Sequence, residues 1–127
     1  MQVVIDTNII VSALLNPNGT CYVFLDRVMA GAYDVVVSES IMAEYNEVLR
    51  RERFGFDEED IDFLIDWFYS NALMVEVNEE DYINEAVLDE KDIPFYVTAK
   101  ATKSRLVTGN IKHFPVEEMR TMIWELQ

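Results

Sequence analysis

Val3-Val4-Ile5-Asp6-Thr7-Asn8-Ile9-Ile10-Val11 opens the chain and sets its architecture. The β-branched run Val3 to Ile5 predicts a strand buried on both faces, as in the middle of a parallel sheet. It runs directly into Asp6, a carboxylate at its carboxyl end, where open α/β sheets leave a crevice for ligands. Thr7 or Asn8 is placed to cap the helix that follows, and Ile9, Ile10, Ala13 and Leu14 give that helix an apolar stripe. Taken alone, Asp6 is equally well explained as a turn or cap residue. The functional reading depends on whether other carboxylates reach the same place.

Outward from this stretch the pattern repeats. Asn16-Pro17-Asn18-Gly19 is a turn by composition. Thr20 to Ala30 predicts a helix with Val23, Phe24, Val28 and Leu25 inward and Gly31 just past its end. Tyr33 to Val37 is a second buried strand, and Ser38 caps a helix predicted to run to about Arg53 with the stripe Ile41, Tyr45, Val48 and Leu49. A fourth helix starts near Asp57 and buries Ile61, Leu64, Ile65 and Phe68. Leu73 to Val77 is a third strand, Asp92 to about Ser104 a helix with Pro94 in its first turn, and Arg105 to Thr108 a fourth strand ended by Gly109-Asn110. Residues 78–88 and 116–127 carry no clear pattern. This alternation predicts a three-layer α/β/α fold with a central parallel sheet of four to five strands.

At 127 residues the chain is expected to form a single domain, residues 1–127, with one well-filled core. One cysteine, Cys21, excludes an internal disulfide and suits a reducing compartment. The apolar run Ile9 to Leu15 is too short to span a bilayer, so no membrane association and a cytoplasmic location are expected. The formal net charge of −14 argues against a polyanionic partner. Most of that charge sits in residues 57–92, however, while the flanking segments are nearly balanced. A carboxylate cluster holding divalent cations would account for part of the excess.

Four polar positions could share one crevice. Asp6 and Asn110 end two predicted strands, and Asp92 opens a helix. Glu44 falls between Val48 and Glu47 on the helical wheel, at the margin of the apolar stripe. A carboxylate there is partly desolvated, which is costly unless it is paired or holds a metal. Three acids without a nearby His or Cys make an oxygen-only site suited to Mg²⁺ or Mn²⁺ rather than zinc or copper. The natural chemistry of such a site is metal-assisted phosphodiester hydrolysis.

The ordered set Val4-Ile5-Asp6-Thr7-Asn8, Val36-Val37-Ser38 with Glu44-Tyr45 and Val48-Leu49, Asp89-Glu90-Lys91-Asp92-Ile93-Pro94-Phe95, and Leu106-Val107-Thr108-Gly109-Asn110-Ile111-Lys112-His113-Phe114-Pro115 resembles the PIN domain. The likeness runs along nearly the whole chain and is strongest to the branch of toxin components of toxin–antitoxin pairs. It implies a Mg²⁺- or Mn²⁺-dependent endoribonuclease whose metal-binding acids fall on Asp6, Glu44 and Asp92. Asn110 stands where many members have an Asp, and Asp89 is placed to supply the missing charge. Thr7, Asn8, Ser12 and Thr108 would orient the carboxylates. The resemblance further implies an RNA substrate, an antitoxin protein and a homodimer.

The basic residues Lys112 and His113, just beyond Asn110, are the expected RNA contacts, because Arg50, Arg51, Lys100 and Lys103 are explained by helix dipoles. Two rivals are weighed against the nuclease. A phosphatase of the haloacid dehalogenase-like group would need a second Asp at position 8, where Asn8 stands. A PIN fold with weak or no catalysis, acting as a protein- or RNA-binding module, is kept open by Asn110.

Overall fold

A computed structural model describes residues 1–78, 80, 89–109 and 120–121. The elements are β1 (Gln2–Ile5), α1 (Thr7–Leu15), α2 (Thr20–Met29), β2 (Asp34–Val37), α3 (Glu39–Leu49), a 3₁₀ turn (Glu52–Phe54), α4 (Glu58–Asn71), β3 (Leu73–Met74), a 3₁₀ turn (Glu90–Asp92), α5 (Ile93–Thr102), β4 (Arg105–Val107) and β5 (Arg120–Thr121). The five strands among the described residues are all parallel and lie in the order β3-β2-β1-β4-β5. β1 is therefore central: Val3 pairs with Val35 on one side and Arg105 on the other, and Ile5 pairs with Val107. The consequence is the complete burial of Val3, Val4 and Ile5.

The chain steps outward from β1 through β2 to β3, then comes back across to β4. Right-handed crossovers in opposite directions put their helices on opposite faces, so the sheet is the middle of three layers. α5 packs on β1, β2 and β4 and buries Phe95, Tyr96, Val97, Thr98 and Ala99 in succession, as expected of a helix enclosed on most sides. Strand order reverses direction at β1, which makes the carboxyl ends of β1 and β4 the topological switch point of the sheet.

Several local expectations are corrected. Neither Thr7 nor Asn8 caps α1; Asp6 occupies the N-cap with extended backbone. Val23 is 41% exposed, because the buried face of α2 is the narrower one carrying Phe24, Leu25 and Val28. α3 ends at Leu49 instead of Arg53: Arg51 is extended, and Gly55 at φ 65° closes the short turn that follows. β3 keeps only Leu73 and Met74 of the expected five residues, although the Val75 N–H still donates to the Val37 carbonyl at 2.9 Å. The tail contributes Arg120 and Thr121 as β5, paired with Leu106 and Val107. Ser38 caps α3 as expected, its hydroxyl accepting the Ile41 N–H at 3.2 Å.

Candidate metal centre

Asp6 and Asp92 both stand at helix N-caps, of α1 and α5, yet neither carboxylate makes a capping hydrogen bond to its own helix. The structural explanation of both acids as caps therefore fails on geometry. Asp6 is 5% exposed, its backbone N–H extends the β1–β4 ladder by donating to the Val107 carbonyl at 2.9 Å, and its Oδ2 accepts the Thr108 hydroxyl at 2.7 Å. A buried carboxylate held this way by a fully buried threonine is fixed in place by two adjacent strand ends.

Asp6, Thr7, Asn8, Glu44, Asp89 and Asp92 line one cleft of about 220 Å³. Glu44 is half-buried on α3. Its carboxyl is held above the usual range by burial first, then by the neighbouring charge of Glu47, with Asp6 adding a smaller push; Arg51 and Lys91 pull it back down. Asp89 is exposed and has a structural role as well, since its side chain accepts the Lys91 N–H at 3.0 Å. The Thr7 hydroxyl is buried and without a hydrogen-bond partner among the described residues. An orphaned buried hydroxyl beside a buried carboxylate suits a bound water or the hydration shell of an ion.

Among the described residues no three acidic, histidine or cysteine side chains converge closely enough to cage an ion by themselves. The donor set nonetheless fits a hard cation that keeps several waters and is bound through one or two carboxylates, as Mg²⁺ and Mn²⁺ are. Ser12, expected among the orienting groups, lies further along α1 beside Cys21, to which it hydrogen-bonds, and does not line the cleft. Asn110, Lys112 and His113 lie outside the described residues.

Two features were missed in the sequence. Tyr45, assigned to an apolar stripe, donates its hydroxyl to the Ile5 carbonyl at 2.5 Å and so ties α3 to the end of β1. Burial, and secondarily the charge of Asp6, raises its pKa well above the ordinary tyrosine value. Arg51, Arg53 and Lys91 also line the cleft. Arg51 was set aside in the sequence as a helix-dipole cation, but α3 ends at Leu49 and the turn that follows carries Arg51 and Arg53 to the cleft.

Residues 2–112 match the family model of the PIN domain. No curated protein matches the sequence. Among solved structures, the chain is similar to one in VapBC2 from Rickettsia felis, solved bound to a DNA fragment from its promoter, with 21% identity, a TM-score of 0.67, and 96% of this chain and 98% of that one covered. It is also similar to one in VapBC-1 from nontypeable Haemophilus influenzae, with 17% identity, a TM-score of 0.63, and 98% and 99% covered.

Proposed function

We propose, from the premise that this chain belongs to the PIN domain family, that it is a Mg²⁺- or Mn²⁺-dependent endoribonuclease and the toxin of a toxin–antitoxin pair. The observation that carries this reading is Asp6, buried at the end of the central strand and facing a cleft that Glu44, Asp89 and Asp92 also line. Asp6, Glu44 and Asp92 would hold the ion, with Asp89 and Asn110 as secondary ligands or water-positioning groups. When bound, the ion supplies Lewis acidity toward the phosphoryl oxygens and a more acidic water. The protein's own part is to fix the acids: Thr108 holds Asp6, Tyr45 anchors the end of β1, and Thr7 and Asn8 offer polar atoms at the same mouth.

The toxin assignment and a protein antitoxin draw on the resemblance to VapBC assemblies. A homodimer, a single PIN-like unit over residues 1–127 and a cytoplasmic location belong to the same proposal. No helix among the described residues is long and apolar enough to cross a membrane.

A second reading, a binding module without catalysis, is favoured by Asn110 in place of the usual acid and by carboxylates that do not close on one point. Titrating Mn²⁺ while following Tm and RNA cleavage separates the two. A ligand bound only by the folded state stabilises it by about 2.7 kcal/mol at a hundred times its Kd. The nuclease must show that rise together with Mn²⁺-dependent cleavage; a flat Tm with no cleavage leaves the binding module.

A further inference from the structure

A polyanion approaching a chain of net charge −14 needs local cations, and three of its ten Lys and Arg residues, Arg51, Arg53 and Lys91, line the cleft that also holds Asp6 and Glu44. Arg51 is held by Glu47 through its Nε and Nη2, the shortest of three contacts at 2.8 Å. Beside it the corner between α3 and α4 builds a stack. The Arg53 guanidinium lies 4.8 Å from the centre of the Phe54 ring, and Phe54 lies nearly parallel to Phe56, with centroids 5.5 Å apart and planes at 11°. Gly55 at φ 65°, a conformation that strains other residues, turns the backbone between the two rings. Arg53 is exposed and both rings are partly so, and Phe54 itself lines the cleft.

Arginine and aromatic planes next to phosphate-binding cations are the means by which proteins hold unpaired nucleobases. Bases inside a duplex do not offer their faces to such a surface. We propose that the corner of residues 51–56 grips single-stranded RNA, a nucleobase stacking on the Arg53–Phe54 pair while Arg51 and Lys91 take the phosphate oxygens. This rests on the nuclease reading and assigns that site a nucleobase subsite. The corner's own packing accounts for the contact of Phe54 and Phe56 with the core. It gives no reason for an exposed Arg53 and a partly exposed Phe54 to line the carboxylate cleft.

The test measures binding of a short labelled single-stranded RNA, and of the same RNA annealed to its complement, to a cleavage-deficient Asp6→Asn parent. The same changes are then made in the wild-type background for cleavage. Arg53→Gln, which leaves the core untouched, and Phe54→Leu, which keeps an apolar side chain there, should each weaken single-strand binding about tenfold. Duplex binding should be unchanged, and KM should rise more than kcat falls. Phe54→Trp should bind the single strand at least as well as the parent. If RNA is bound and cut but these variants match their parents, or lose single-strand and duplex binding equally, the stacking proposal is overturned and the nuclease stands. A protein that neither binds nor cuts RNA overturns both.

Discussion

Thr108 donates its hydroxyl to Asp6 Oδ2 across 2.7 Å, joining the carboxyl ends of two neighbouring strands 102 residues apart in sequence. The bond lies at the switch point of the sheet, between β4 and the central β1. It fixes the orientation of the one deeply buried acid in the cleft before any ligand arrives.

Thr108→Val keeps the shape and removes the donor. Loss of an orienting partner of a metal-binding carboxylate typically lowers metal affinity about 10–100-fold. Mn²⁺ affinity measured by calorimetry should fall within that range, and Tm should drop by the equivalent of about 1–3 kcal/mol for an acceptor left unsatisfied. Unchanged Mn²⁺ affinity would mean that Asp6 needs no help in facing the ion.

Asp6→Asn should abolish RNA cleavage with the fold intact. In the metal-free protein its Tm should equal or exceed that of the wild type, because the Asp6 charge adds to the forces that push up the Glu44 pKa, and an amide removes that repulsion. Cleavage at a near wild-type rate would remove Asp6 from the site.

Glu44 gives a pH signature. Its folded-state pKa lies above the ordinary 4.5, chiefly through burial, so the folded protein binds the proton more tightly than the unfolded one. That contribution to stability is complete below the ordinary value and is lost as pH rises through the folded pKa. The difference in Tm between metal-free wild type and Glu44→Gln should therefore move against the wild type as pH rises above about 4.5. With saturating Mn²⁺ the trend should reverse, since the ion binds the ionised carboxylate. A pH-independent difference would place Glu44 in free solvent.

Asn110→Asp and Asp89→Asn divide the remaining charge. Asparagine can still accept the Lys91 N–H that Asp89 now holds, so Asp89→Asn removes charge with little loss of structure. If the two positions share the metal, Asn110→Asp should tighten Mn²⁺ binding and Asp89→Asn should weaken it, each by about tenfold. Weaker binding in Asn110→Asp would show that a further acid only adds repulsion.

How much of this was legible in the sequence follows the range of the interactions involved. Val3 to Ile5, the Ser38 cap, the α3 stripe of Ile41, Tyr45, Val48 and Leu49, and the turn at Gly31 were all readable, because hydrophobic period, capping and left-handed turns are settled within a few residues. Val23 and Val75 to Val77 were not, since burial of a helix face or the end of a strand depends on what packs opposite. Asp6 and Asp92 were found by their positions at element ends and Glu44 by its place at the margin of an apolar stripe, but only the fold denied Asp6 and Asp92 their capping role.

The sequence by itself determined the alternation of strands and helices, and with it a parallel sheet carrying Asp6 at the end of a buried strand. Tertiary structure alone decided that β2 and β4 flank this strand, that Thr108 meets Asp6, and that Arg51, Arg53 and Lys91 turn toward the same cleft. The physical reason is that period and capping are local and written in neighbouring residues. Which strand ends adjoin, and which long side chains then share a cleft, is set by the packing of the whole core.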